Sequence, residues 1–179
     1  MLLLNSILQN VPITSLRNGA ELGETTSFVI NPANLKIEAF ICHISNSIQP
    51  LYLLNQDIRD ISSNKILIND YEALSEANDL FRLKDVIDLN FEVIGKMVVS
   101  KNGQKLGKVK EFSVDDTSLF IQKIYIYQPI YRSLYSGQLI IDRNQIIEVT
   151  NKQIIVKDLL QPTKLKTAIK VAGSITGVV

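Results

Sequence analysis

The sequence predicts a mainly β protein: two tandem small β-barrels joined by a short helix, with a C-terminal tail of helical pattern. Three observations lead there. Of 179 residues, 46% are hydrophobic and 21% charged, with 8 Gly and 5 Pro, which excludes a disordered, collagen-like or low-complexity chain. The chain also repeats itself. Asn18-Gly19 and Leu22-Gly23 recur as Asn102-Gly103 and Leu106-Gly107, and Phe28, Leu35 and Ile37 meet Phe112, Leu119 and Ile121 at the same offset of 84, giving seven identities over positions 18–42. After four extra residues in the second copy, Asn64–Asp70 meets Lys152–Asp158 at an offset of 88. Finally, each copy consists of short β-branched and aromatic runs parted by turn residues, the pattern of a small barrel or sandwich.

In the first copy the expected strands are Val11–Thr14, Gly23–Asn31, Ile37–His43, Leu51–Leu54, Asp57–Ile61 and Lys65–Ile68. In the second they are Lys96–Ser100, Lys108–Val114, Ile121–Tyr127, Gln138–Ile141, Ile146–Val149 and Gln153–Val156. Asn102-Gly103 supplies the positive φ values of a tight hairpin between the first two of these, and Thr150-Asn151-Lys152 turns between the last two. Between the copies, Leu74, Ala77, Leu80 and Phe81 are spaced as on a helix over Tyr71–Leu83, with early carboxylates suited to its N-terminus. Leu165, Ala168, Ile169, Ala172 and Ile175 fall on one face of a C-terminal segment, with Lys164, Lys166 and Lys170 mostly elsewhere, although Gly173 and Gly177 weaken a free helix. The organisation read from this is a first repeat over 1–70, a linker over 71–90, a second repeat over 91–160 and a tail over 161–179.

Net charge is +1, but residues 1–90 carry 6 basic and 11 acidic groups and residues 91–179 carry 13 and 7, so the halves stand at −5 and +6. That asymmetry turns the second half toward anionic partners. The one cysteine, Cys42, allows no intrachain disulfide, and Met1–Leu4 is not preceded by a basic region or followed by a small-residue cleavage site. The expected location is the cytoplasm.

The stretch Ile94-Gly95-Lys96-Met97-Val98-Val99, then Gly103 to Val109, Phe112 and Asp115-Asp116, closing with Ile146, Val149 and Ile154-Ile155-Val156, resembles the PRC-barrel family. The first copy resembles it less closely, with Val11-Pro12 where Gly95-Lys96 stands, so its opening turn or edge strand is expected to differ. The resemblance implies a small all-β barrel, as in the cytoplasmic part of the photosynthetic reaction-centre H subunit and in the C-terminal domain of a small-subunit ribosome-maturation factor, where it resembles a docking surface for a ribosomal protein. Turn glycines and core aliphatics carry the likeness, so it specifies fold rather than reaction.

Groups that would carry chemistry are sparse. Gly19–Gly23 and Gly103–Gly107 have the form G-x-x-x-G and lack the features of phosphate loops, so they read as hairpin glycines. Cys42 and His43 are adjacent on a strand and point to opposite faces, which bars a dyad or a shared metal. Asp115-Asp116, Asp57 with Asp60, and Asp142 with Glu148 read as turn carboxylates. No catalytic residue, metal site, cofactor or small-molecule substrate is expected.

Two features suit a binding surface. Tyr125, Tyr127, Tyr131 and Tyr135, with Lys123 and Arg132 beside them, present rings that serve an interface or cover the protein's own core. Lys96, Lys101, Lys105, Lys108 and Lys110 surround a hairpin and form either a basic stripe for RNA or a guarded sheet edge. The expected function is a non-catalytic module docking a protein through the Tyr-rich loop and the groove between the barrels. The alternatives are a ribosome- or RNA-associated assembly or processing factor and a peripheral membrane scaffold anchored by the tail.

Overall fold

The computed structural model of the protein describes residues 1–45, 47–62, 64–127 and 139–158. The tail, where a helical pattern was expected, lies outside them, as do Tyr131, Arg132 and Tyr135. The chain is mainly β. The elements are β1 (Leu2–Leu4), β2 (Pro12–Ser15), β3 (Glu21–Asn31), β4 (Lys36–Ile44), β5 (Leu51–Leu54), β6 (Ile58–Ile61), β7 (Ile66–Ile68), β8 (Leu74–Ser75) and α1 (Lys84–Asp88). They continue with β9 (Met97–Ser100), β10 (Lys105–Asp115), β11 (Ile121–Tyr127), β12 (Leu139–Asp142), β13 (Ile146–Val149) and β14 (Gln153–Val156). Every strand expected from the sequence is present, the largest shift being the start of β10 at Lys105 rather than Lys108.

Two sheets form, and the second repeats the strand order of the first. One runs β6-β7-β2-β3-β4-β5-β8, and the other runs β13-β14-β9-β10-β11-β12 with β1 added on β10. In both, the first and last strands of the repeat lie parallel, β2 on β7 and β9 on β14, and the remaining pairs are antiparallel. The close β3–β4 and β10–β11 pairings explain two glycines. A Cβ on Gly23 would collide with the carbonyl oxygen of His43, and one on Gly107 with that of Tyr127, the repeat equivalent of His43.

In each Asn-Gly turn only the glycine is left-handed, Gly19 at φ 71° and Gly103 at φ 80°. The two hairpins differ by one residue. The N–H of Gly103 donates to the Ser100 carbonyl (2.8 Å), three residues back, whereas that of Gly19 donates to the Ser15 carbonyl (2.9 Å), four back. The offset before the turn is therefore 85, and Gly95 (φ 81°) corresponds to Asn10 (φ 57°) rather than to Val11. Asn10 donates its N–H to Thr25 O (2.7 Å) as Gly95 donates to Val109 O (2.8 Å). The opening turn expected to differ in the first copy is thus retained, because Asn is among the few residues that tolerate this conformation.

The linker departs from the helix expected over Tyr71–Leu83. Asp70 accepts the N–H of Glu72 and caps a single 3₁₀ turn, after which Leu74 and Ser75 pair with Leu53 and Tyr52 as β8. Extending the sheet edge buries Leu74, and Ser75, Asn78 and Asp79 are weak helix formers, so pairing overrides the spacing signal. The short helix of the linker is α1, further on. Its Val86 and Ile87, with Leu80 and Leu83 ahead of it, pack on Val29, Ala39 and Tyr52 on the outer face of the first sheet. Burying Leu80 alone contributes about 2 kcal/mol.

The halves share one core. Phe28 and its equivalent Phe112 meet edge to face at 6.1 Å. Lys36 bridges Phe120, and Ile37 N–H donates to Leu119 O (3.0 Å) while Ile121 N–H donates to Leu35 O (2.9 Å). The N-terminus adds a strap: β1 pairs with Asp115–Ser113, and Asn5 exchanges hydrogen bonds with Phe112 through its backbone N–H and its Oδ1, both at 2.9 Å. Arg143 clamps the junction, donating to Asn34 O (2.6 Å) and Ile121 O (3.2 Å) with its guanidinium 4.7 Å from the Phe120 ring. Arg143→Ala should lower unfolding free energy by about 2 kcal/mol in urea titrations, the scale of hydrogen bonds from a charged donor. Arg143→Lys should recover little, since a point charge cannot replace the planar fork.

Candidate binding face

The face that gathers the sequence-derived candidates is the outer side of β10, β11 and β12. Alternation builds it. Ile124 and Ile126 point inward and are fully buried, which turns Tyr125 and Tyr127 outward from the same strand. Tyr127 lies opposite Lys108, and Tyr125 has Glu111 on one side and Ile140 on the other. Tyr127 is 54% exposed, Ile140 46%, and Tyr125 is half-buried. A β-bulge between Val109 and Glu111 accommodates Lys110 and brings its Nζ to 6.0 Å from the Tyr127 ring centre. At the far edge Lys123 and Asp142 pair across strands at 3.4 Å.

The five lysines around the β9–β10 hairpin divide. Lys101, Lys105, Lys108 and Lys110 are exposed and form no ion pair among the described residues, with Lys108 and Lys110 on one face. Lys96 is engaged elsewhere: its Nζ donates to Asn151 O (2.7 Å) and sits 4.4 Å above the Phe91 ring. These contacts remove it from the stripe read from the sequence, and desolvation there lowers its pKa.

Sequence spacing missed Ile140 and Ser113. Ile140 was legible in principle, since alternation in β12 places it on the outer side beside Tyr125. Ser113 was not: its hydroxyl is buried with no hydrogen-bond partner among the described residues, which only packing reveals.

A second concavity, a groove of 460 Å³, lies between the halves, lined by Pro32–Leu35 from the first and by Arg143 and Ile146–Val149 from the second.

Several acidic side chains are committed to turns and to hydrogen bonds within the fold. Asp115 accepts the N–H (2.9 Å) and hydroxyl (2.7 Å) of Ser118, which hold its carboxyl below the ordinary range, and Asp116 accepts from the Met1 ammonium at 2.7 Å. Glu38 gathers Asn31, Asn34 and Asn55 amides at 3.4–3.5 Å beside Lys36. Among the described residues no three His, Cys, Asp or Glu side chains converge as a metal site would require. No described helix is long and apolar enough to cross a membrane. No family model matches the sequence, and no curated protein matches it either.

Cys42 and His43 point to opposite faces, as alternation requires: His43 is exposed and Cys42 fully buried. Burial pushes the Cys42 thiol up to about 12. The native thiol should therefore resist a disulfide reagent at mildly alkaline pH and react once guanidinium unfolds the chain. Because the folded state holds the proton longer than the unfolded one, stability is fully present below pH 9 and falls between pH 9 and 12. The expected slope is at most about 1.4 kcal/mol per pH unit. Alkaline unfolding curves of the wild type should show this slope, and those of Cys42→Ala should lack it.

Proposed function

We propose that the protein is a non-catalytic docking module made of two PRC-barrel-type halves, with a protein partner bound on the outer face of β10–β12. The repeated strand order supports the tandem reading. One observation carries the docking surface: Tyr125, Tyr127 and Ile140 share an outer sheet face on which both rings are at least partly wet. Large amphipathic rings flanked by cations are the composition of interface anchors, because they bury area with few rotamers to fix. The groove between the halves offers a secondary contact.

A second reading, an RNA- or ribosome-associated assembly factor, is favoured by Lys101, Lys105, Lys108 and Lys110, which have no carboxylate partner among the described residues. The two readings separate by salt, since phosphate contacts release counterions and weaken steeply as salt rises.

The deciding experiment captures partners from a lysate of the native host with the intact chain and with Tyr125→Ala/Tyr127→Ala, at low and raised salt. A protein retained at raised salt and bound at least about thirtyfold more weakly by the variant, the loss of one anchor worth about 2 kcal/mol, supports docking. RNA or ribosomal proteins released by salt, and lost in Lys108→Gln/Lys110→Gln, support the second reading. Equal recovery of every partner by the wild type and the tyrosine variant overturns the assignment of this face.

A further inference from the structure

The two sheets share a strand order, yet their outer faces are finished differently. On the first, Val29, Ala39 and Tyr52 are roofed by Leu80, with Leu83, Val86 and Ile87 packed against them. The repeat equivalents of those three covered residues are Ser113, Lys123 and Ile140, and that of Ile41 is Tyr125. Ser113 is buried with its hydroxyl unpartnered, but Lys123 and Tyr125 are only half-buried and Ile140 is exposed, and among the described residues no counterpart of the Leu80 cluster covers these three.

Chain length supplies a candidate for that cover. Leu80 and Ile87 follow Ile68, the last residue of β7, by 12 and 19 residues. Counting the same distances from Val156, the last residue of β14, reaches Ala168 and Ile175, inside a chain that continues to Val179. This segment carries the apolar stripe Leu165, Ala168, Ile169, Ala172 and Ile175, with three lysines mostly off it. A segment that starts from the same point of the repeat, has the same reach and bears an apolar stripe matches the requirements of the missing cover. Its small residues, Ala168 and Ala172, also suit a face on which Lys123 stands where the first sheet has Ala39 and Tyr125 where it has Ile41.

We propose that residues 165–175 cover the outer face of β10, β11 and β12 as residues 80–87 cover that of β3, β4 and β5. The inference rests on the reading of this face as a docking surface and names its resident occupant, which an external partner displaces.

The test uses the purified full-length chain with a benzophenone photocrosslinker in place of Ile140. The expected result is an intramolecular crosslink to the peptide spanning 165–175 whose yield does not change on dilution. Ile169→Asp/Ile175→Asp should cut that yield about tenfold, because charges replace buried apolar contacts, while Lys164→Gln/Lys166→Gln should leave it intact. Three outcomes overturn the proposal: crosslinks only between molecules that vanish on dilution, which assign the face to a second copy; no crosslink to the tail; or a yield unaffected by the two aspartates. Tail-dependent flotation on phosphatidylserine vesicles without any tail crosslink in their absence also overturns it, giving the tail to a lipid surface. A tail crosslink with no partner captured from lysate rejects the partner reading alone, and the converse rejects this inference alone.

Discussion

The junction at Leu35–Ile37 and Leu119–Ile121 is the constraint on which the rest of the molecule depends. Lys36 bridges Phe120, its own counterpart one repeat later, and the flanking hydrogen bonds are reciprocal. An antiparallel contact in which the central residue meets its own equivalent and the flanking residues exchange partners is the local sign of a twofold relation, as in an isologous dimer interface, here within one chain. Leu35 and Leu119 adopt φ of 52° and 56°, a region that costs a β-carbon residue about 1–2 kcal/mol. Both are nevertheless leucines in both copies, and both are buried. The left-handed turn is what aims the following strand at the other half, so its cost is offset by the shared core that the aim makes available.

Much of this was legible in the sequence. Alternation and turn residues located the strands and turned Tyr125 and Tyr127 to one side, because a period of two is imposed by the backbone itself. What escaped depends on distant partners. Leu2–Leu4 is too short to signal a strand, and it becomes one only because β10 offers an edge beyond the end of β9. Leu74 is spaced as a helical residue and is claimed by the edge of β5. The equivalence of Asn10 with Gly95 was hidden by one extra hairpin residue, which shifts the offset without disturbing the fold. Lys96 looked like part of a basic stripe because a sequence does not show that Phe91 and the Asn151 carbonyl enclose it.

The two copies keep their inner faces alike and diverge on their outer ones. Phe28 and Phe112, Leu35 and Leu119, and Ile37 and Ile121 are unchanged where they fill the common core. Outside, Val29, Ala39 and Ile41 become Ser113, Lys123 and Tyr125. Side chains that pack against the chain's own linker in one half have given way to a buried serine and two half-exposed polar side chains in the other. This divergence of the outer faces is the difference on which the proposed function is built.

The strap formed by β1 also bears on how the protein is made. Asn5 leaves the ribosome 107 residues before Phe112, the residue whose backbone it satisfies on both sides. At ordinary elongation rates that interval is roughly 5–20 s. During it the first half can pair its own strands, but Leu3 and the β1 edge have no native partner. The nascent chain therefore carries the apolar Leu2–Leu4 segment unpaired until β10 has been synthesised. That makes this segment the point at which chaperone engagement, or pairing with the wrong neighbour on a crowded polysome, competes most directly with folding.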